Sequence, residues 1–315
     1  MQHIFENANF NFVKWRWHAI AFSWLVVLAG IGVAIARGGV PMGIDFSGGT
    51  AVIVKFDQPT HEDAVRKALD VVTTDKVVQR YGPETDNSVL IRMPLGATPA
   101  EGNNLDEGVR AIREALTKAN IGGFTIINSE VVGPVIGKDL QLKGIYATVA
   151  SLVGILFYIW LRFEWTFAVG AIVATFHDII VTLALLVFFN YDMSLNVIAA
   201  ILTIVGYSVN DTIVIFDRIR ENRRNKRRES LEKIVNDSVN QTLSRTIITS
   251  GTTLLTVLSL YLFGGEVLHG FAFTMVVGII TGTYSSMYIA ASIAIILSGK
   301  QAAKTGRAPA ASKVS

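Results

Sequence analysis

Two acidic residues lie within long apolar segments of this sequence. Asp211 follows Asn210 in the segment "IVGYSVNDTIVIF", and Asp178 follows His177 in the segment "ATFHDIIVT". An Asp in the middle of a bilayer costs about 2.5–3.5 kcal/mol on insertion scales, so it needs a partner or a task. Because acidic residues in such positions often carry protons through pumps and transporters, the chemistry they indicate is proton movement.

A possible counter-ion for Asp211 is Arg245, which opens the next apolar segment. Tyr207 and Ser208 precede Asp211 by four and three residues and therefore share its helix face. Hydroxyl residues follow Arg245 on its own side at about helical spacing, and they are Thr249, Thr252, Thr253 and Thr256. This pattern predicts a proton relay in which Asp211 titrates and the hydroxyl groups pass the proton on.

The relay hypothesis requires two conformations of the Asp211–Arg245 pair. An Asp that is permanently paired with an Arg stays ionised, so the pair must separate in a second conformation for Asp211 to titrate. The alternative interpretation is an interfacial Asp211 whose side chain reaches water, with the threonines packing against neighbouring helices.

His177 and Asp178 form a second candidate near the middle of the third apolar segment. Adjacent residues point about 100° apart on a helix, so we expect these two side chains not to pair with each other. Asp178 is expected to face a neighbouring helix, where it either bonds to hydroxyl or backbone groups or takes part in proton movement. The five His residues are scattered, and no metal site is evident.

The composition is that of an integral membrane protein. Of the 315 residues, 51% are hydrophobic and only 17% are charged, and the mean hydropathy is +0.45. Soluble domains usually carry about 25% charged residues. Cysteine is absent, which excludes disulfides, zinc–thiolate sites and cysteine nucleophiles.

Six apolar segments are long enough to cross a bilayer, which takes about 20 helical residues. The first could instead be a signal peptide, but its roughly 18 apolar residues exceed the usual 7–15 of a signal core, so we predict an uncleaved anchor. The predicted spans are 19–36, 140–162, 166–189, 194–217, 245–264 and 268–297.

Lys and Arg residues predict the orientation of these spans. They are concentrated in the tails 1–18 and 298–315 and in segment 218–244, whereas the turns "NYDMS" and "GGEVLHG" contain none. Both termini are therefore expected in the cytoplasm. Segment 218–244 is expected to hold a basic loop and an amphipathic helix along the cytoplasmic interface, where contact with anionic lipid explains the charge better than nucleic acid does.

Segment 37–139 then lies outside the cytoplasm. Its strand and helix signals follow the order βαββαβ, which predicts one α+β ferredoxin-like domain between the first two spans. Thr60 and Asp63 form a plausible capping box for its first helix. The segments that join the domain to the membrane are predicted to be hinge-like connectors, and their candidate residues are Gly43, Asp45, Gly48, Gly49, Gly133 and Pro134.

Five motifs occur in the same order as in a known family. "GIDFSGGT", "VGPVIGKDL", "HD", "GYSVNDTIVIFDRIREN" and "LSRTIITSGTTLLT" together resemble SecF, of the SecD/SecF family of bacterial protein-export membrane proteins, which is similar to the resistance-nodulation-division transporters. The family's functional Asp falls on Asp211 and its functional Arg on Arg245. The resemblance implies a subunit of the bacterial inner membrane that works with SecD, the SecYEG channel, YajC and the SecA ATPase. It also implies that the proton motive force drives export of unfolded polypeptides.

Three other functions remain as alternatives. One is an exporter of small molecules or lipids from the same superfamily, and another is a passive scaffold of the translocation channel. The third is an intramembrane aspartyl protease that uses Asp178 and Asp211, although the GxGD pattern of such enzymes is missing. The favoured reading is not an enzyme and needs no cofactor or metal. Its coupling ion would be H⁺, with Na⁺ as the alternative.

Overall fold

The protein is a bundle of long helices with a small β-sheet domain against one end. The structure, a computed structural model, describes residues 9–73, 76–82, 84–93, 107–226, 228–265 and 268–304. Within these ranges, six helices are long and apolar enough to cross a membrane, which confirms the predicted number. The elements in chain order are α1 (Arg16–Ala36), α2 (Ile44–Ser47), β1 (Gly49–Phe56), α3 (Glu62–Ala68), β2 (Val77–Tyr81), β3 (Ser88–Met93), α4 (Glu107–Lys118), β4 (Phe124–Val132), α5 (Pro134–Arg162), α6 (Trp165–Phe188), α7 (Leu195–Asn225), α8 (Leu231–Phe263), α9 (His269–Ser285) and α10 (Ala291–Lys304).

The four strands form one antiparallel sheet in the order β2-β3-β1-β4. Both α3 and α4 pack on the same face of this sheet, because their apolar residues share a core with alternate residues of β1 such as Val52 and Val54. The predicted capping box does not form. Instead, Thr60 donates its hydroxyl to the carbonyl of Gln58, and α3 begins at Glu62 with no side-chain cap.

The opposite face of the sheet is also covered. Ala51 and Ile53 of β1 and Leu90 of β3 pack with Ile44 of α2 in a separate apolar cluster. This face looks toward α7 and α9, because a cavity of about 430 Å³ between them is lined by residues of both parts. As a result, β1 is buried on both faces along nearly all of its length.

Close packing in the bundle is greatest between α7 and α9, where small residues let the helices approach. A Cβ on Gly278 would lie 2.1 Å from Ile204, and one on Gly282 would lie 2.8 Å from the Cβ of Ser208. Small residues at helix crossings are typical of membrane bundles. After α9 the helix widens into one π turn, Ser286–Ala290, before it continues as α10.

Helix α8 differs from the predicted organisation of segment 218–244. The amphipathic stretch from Leu231 is not a separate interfacial helix; it is the first part of one continuous helix of 33 residues. Ser230 caps its start by accepting a hydrogen bond from the Lys233 backbone N–H at 3.3 Å. Neither Gly nor Pro interrupts the chain between Ser230 and Ser250, so nothing in the sequence breaks the helix.

The segment before α1 is tied to this same part of α8. The Asn236 side chain accepts a hydrogen bond from the Phe12 backbone N–H at 2.9 Å, and the Asn240 side chain accepts one from Phe10 at 2.8 Å. Both asparagines also donate to the carbonyl of Phe10. These four bonds hold residues 10–12 as a strap across α8.

Candidate functional site

Asp211 lies inside the bundle on the face of α7 that packs against α8. Its side chain is buried, and Oδ1 accepts a hydrogen bond from the Thr246 hydroxyl at 2.6 Å. The other oxygen, Oδ2, is buried with no hydrogen-bond partner among the described residues. A buried carboxyl group with one donor and one unused oxygen is unusual, because buried polar atoms are normally satisfied.

Arg245 does not contact Asp211 directly in this structure. The residue is exposed, and no ion pair within 4.0 Å joins the two side chains in the described part of the chain. An electrostatic interaction still links them over a longer distance. Since adjacent helical residues point about 100° apart, the helix that aims Thr246 at Asp211 turns Arg245 away.

The hydroxyl residues of α8 fall into two sets. Thr246 and Ser250, four residues apart, are buried and face the bundle. Thr249 and Thr253, which the sequence placed in the relay, instead donate their hydroxyl hydrogens to carbonyl groups one turn back on α8. Thr252 and Thr256 do the same. The predicted stripe therefore lies on the Arg245 side of α8, and its hydroxyl hydrogens are engaged by backbone carbonyl groups.

Tyr207 reaches α8 one turn away from Asp211. Its hydroxyl donates to Ser250 Oγ at 3.4 Å, and Thr283 of α9 donates to the same oxygen at 2.8 Å. Hydrogen bonds thus connect α7, α8 and α9 at this level. Asn210 is exposed on α7 and takes no part in it.

Asp178 has different partners on α6 and α7. Its side chain is fully buried, and Oδ2 accepts a hydrogen bond from the Ser208 hydroxyl at 2.5 Å, as expected for an Asp that faces a neighbouring helix. The expectation that His177 would not pair with it is wrong, because His177 Nδ1 lies 3.0 Å from Asp178 Oδ1. The backbone angle alone does not determine where the end of a side chain lies, because the side-chain torsions also decide it. Asp178 and Asp211 share no hydrogen-bond partner among the described residues, unlike a protease dyad.

Several site residues escaped the sequence analysis. Thr212 and Ser286 form a hydrogen bond of 2.8 Å between α7 and the π turn, and Ser286 also donates to the Ser208 carbonyl at 3.4 Å. The four-residue spacing of Thr246 and Ser250 was a usable signal for the buried face of α8. The sequence around the π turn contains no comparable spacing that would have predicted its contacts.

No described group of three or more His, Asp and Glu side chains is placed to hold a metal ion.

The first connector is hydrogen-bonded to the N-terminal end of α7 instead of being a free hinge. The backbone N–H of Gly43 donates to the Met193 carbonyl at 2.7 Å, and Asp45 Oδ2 accepts from the Leu195 N–H at 2.9 Å. A Cβ at position 43 would lie 2.8 Å from that carbonyl oxygen, so only Gly fits there. Gly48 and Gly49 both have positive φ and turn the chain into β1.

The second connector packs on the first. Gly133 precedes α5 with an extended conformation, and Pro134 is the first residue of that helix, where its missing N–H does no harm. A Cβ on Gly137 would lie 3.2 Å from backbone atoms of Gly48 and Phe46. The entry and exit of the sheet domain therefore meet at one point.

Arg92 of β3 makes a further contact between the sheet and the helices. It forms an ion pair with Asp192, in the loop between α6 and α7, at the edge of the 430 Å³ cavity. Burial lowers the pKa of the Arg92 guanidinium from its ordinary value, while the charges of Asp45 and Glu130 oppose that shift. This loop leads directly into α7, the helix that carries Asp211.

Together these features define a class of protein: a six-helix membrane protein with buried carboxyl groups in the bundle and a small sheet domain docked on one end. The family model described as "Protein export membrane protein SecD/SecF, C-terminal" matches residues 112–300, and "SecD/SecF GG Motif" matches residues 33–60. The chain therefore belongs to the SecD/SecF family, among the SecF subunits of the protein translocase, and is a multi-pass membrane protein with a transport role.

Two similar proteins match the sequence of this chain along nearly its whole length. The chain is 42% identical over 308 residues to protein translocase subunit SecF of Rhodothermus marinus, covering 96% of this chain and 97% of that one. It is 40% identical over 293 residues to protein translocase subunit SecF of Escherichia coli O157:H7, covering 93% and 89%.

A solved structure shares the fold. The crystal structure of SecDF, a translocon-associated membrane protein from Thermus thermophilus, superposes with a TM-score of 0.80 at 36% identity. The match covers 94% of this chain and 39% of the SecDF chain, so the present chain spans well under half of that longer protein.

Proposed function

We propose that this subunit converts the proton motive force into movement of its sheet domain during polypeptide export, with Asp211 as the group that gains and loses the proton. The observation that carries the proposal is the setting of its carboxyl group. The group is buried, has one hydroxyl donor in Thr246, and keeps a second oxygen without a partner.

This setting suits a neutral acid, because burying an unpaired charge is far more expensive than burying a hydrogen-bonded neutral group. Ionised Asp211 would instead require a counter-charge, and Arg245, already linked to it electrostatically, is the candidate. The two protonation states thus favour two arrangements of α7 and α8. Each proton that crosses a potential of 100 mV supplies about 2.3 kcal/mol to bias them.

Helix α7 supplies a mechanical connection to the sheet domain. It runs unbroken from Leu195 to Asn225, and Asp211 lies about 24 Å by helical rise from its outer end. At that end Asp45 binds the Leu195 N–H, and Arg92 pairs with Asp192 just before the helix. A shift of α7 against α8 would therefore reach the sheet domain through these contacts.

We further infer that the sheet domain is ferredoxin-like and lies on the outer side of the bacterial inner membrane, with both termini in the cytoplasm. The strand order β2-β3-β1-β4 with two helices on one face supports the first inference. The Lys and Arg residues in segment 218–244, at the opposite end of α7 from the sheet domain, support the second.

The proposed partners are SecD, the SecYEG channel, YajC and the SecA ATPase, with unfolded polypeptide as the substrate. The match to a longer SecDF chain supports SecD as the other half of the unit. In this proposal the chain is not an enzyme and uses no cofactor, and H⁺ is the coupling ion in preference to Na⁺.

The test is Asp211→Asn in inverted membrane vesicles that hold the whole export complex. We expect ATP-driven export to persist and the increment produced by an imposed proton gradient to disappear, because Asn cannot exchange a proton. The matched control is Asp139→Asn, which removes an exposed carboxylate on α5 that pairs with Lys143. An undiminished gradient-dependent increment in Asp211→Asn would overturn the proposal and favour a passive scaffold, which is also indifferent to an uncoupler.

A further inference from the structure

A small cavity lined by three arginines lies at the turn between α5 and α6, at the far end of the bundle from the sheet domain. Its volume is about 100 Å³, well below the 300–1,000 Å³ of pockets that enclose whole small molecules. The lining residues are Arg162, Phe163, Glu164, Phe167, Phe216, Arg220 and Arg223.

The cavity keeps an excess of positive charge after its own ion pairs are counted. Arg162 donates to both carboxylate oxygens of Asp217, at 2.9 and 3.1 Å, through a single nitrogen. Arg223 Nη1 donates to Glu164 at 2.8 Å. Arg220 forms no ion pair with any described residue. Because each guanidinium has five N–H donors, all three arginines retain donors for an anion.

Aromatic rings hold two of these guanidinium groups in place. Arg162 lies over the ring of Phe163 at 5.4 Å, and Arg223 lies over Phe167 at 5.7 Å. Phe167 in turn packs edge-on against Phe216, which belongs to the apolar core of the bundle. The donors are thus fixed to the bundle instead of moving freely on long side chains, which lowers the entropic cost of binding.

The same turn borders an apolar groove on the outer surface of α5 and α6. This groove has a volume of about 420 Å³, and Trp160 and Trp165, both well exposed, lie at its end near the turn. Tryptophan at this position is typical of the boundary between acyl chains and headgroups. A basic cavity and an apolar groove that share one turn suit a ligand with an anionic head and an acyl tail.

We propose that Arg162, Arg220 and Arg223 form a binding site for the phosphodiester of an anionic phospholipid, with an acyl chain along the α5–α6 groove. Arginine forks match phosphate oxygens in geometry as well as charge, and basic pockets between membrane helices are known to hold such headgroups. The site is separate from the proposed proton pathway, since among the described residues none of its three arginines forms a hydrogen bond or ion pair with Asp211 or Arg245.

The test uses the full chain purified in mild detergent, with phosphatidylglycerol as the probe and native mass spectrometry as the readout. We expect Arg220→Gln to bind the lipid about fivefold more weakly than the unchanged chain, as expected for the loss of one arginine beside an anionic headgroup. The matched control is Arg218→Gln, on the same turn of α7 but pointing away from the cavity toward Glu221. Its lipid binding should stay unchanged.

Two further arms decide the identity of the ligand. Phosphatidylcholine of the same chain length should bind less well, and excess soluble glycerol 3-phosphate should not displace phosphatidylglycerol. Equal losses in the two Gln variants, or displacement by the soluble phosphate, would overturn the proposal. Should Arg220→Gln fold poorly, Arg220→Lys keeps the charge but loses the planar fork, and undiminished binding by that variant would contradict an arginine-specific site.

Discussion

At the scale of single residues, the hydrogen-bond partner of Asp211 in this structure is Thr246 and not Arg245. The two are neighbours in sequence, yet only Thr246 donates to the carboxyl group among the described residues. We read this as the proton-loaded arrangement, in which a neutral acid needs a hydrogen-bond partner more than a counter-ion. Arg245 would then become important after the proton leaves.

This reading gives a prediction for Thr246→Val, which keeps the shape of the side chain and removes the hydroxyl. Leaving a buried acceptor without its donor costs about 1–3 kcal/mol, so we expect the gradient-dependent increment of export in inverted vesicles to fall several-fold. Thr249→Val is the control, because among the described residues its hydroxyl bonds only to the backbone of α8. If both variants behaved alike, the role assigned to Thr246 would be wrong.

The sequence was sufficient to single out Asp211 and Asp178, because charges in apolar segments are conspicuous. It could not identify their partners. Which of Arg245 and Thr246 faces α7 depends on the rotation of α8 about its axis, and that rotation is set by packing against α7 and α9. For the same reason the relay was assigned to Thr249 and Thr253, one helix face away from the buried pair Thr246 and Ser250.

At the scale of elements, the apolar runs and the alternating strands were long enough to be found from periodicity alone. The structure places helix α6 at Trp165–Phe188 against a predicted 166–189. The join between the amphipathic stretch and the fifth span was missed, because a change of polarity along a helix does not by itself end the helix. Only Gly, Pro or a cap would have marked an end there.

The contact between β3 and the loop before α7 allows a test of the coupling between these elements. Either Arg92→Gln or Asp192→Asn alone breaks this ion pair and leaves the other charge of the pair in place. The double variant removes both charges. We expect a double-mutant cycle on the thermal stability of the purified chain to give a coupling energy of about 0.5–3 kcal/mol. Additive effects of the two changes would show that the pair contributes nothing to docking. Arg66→Gln and Asp63→Asn, an exposed pair within α3, provide the control cycle.

At the scale of the whole molecule, the sheet domain is held in a docked position by a few contacts around Met193. Met42 and Met193 form an isolated parallel bridge, and the chain contains no cysteine. We predict that the double variant Met42→Cys/Met193→Cys forms a disulfide under oxidation, because bridge partners lie within the usual Cα separation of disulfides.

The locked protein should assemble normally but lose gradient-dependent export, and a reductant should restore it, because the proposed cycle needs the domain to leave this position. Each single Cys variant serves as the control. Full export by the oxidised protein would mean that the domain does its work without undocking.

The strap at residues 10–12 has a consequence for how the protein is made. Phe10 and Asn240 are separated by 230 positions in the chain, so their hydrogen bond cannot form until the ribosome has delivered α8. During most of translation the N-terminal segment must therefore wait without its final partner, while α1 and the next three spans are already entering the lipid. Closure of the strap would mark a late step of biogenesis, after which the first and fifth spans are joined on the same side of the membrane.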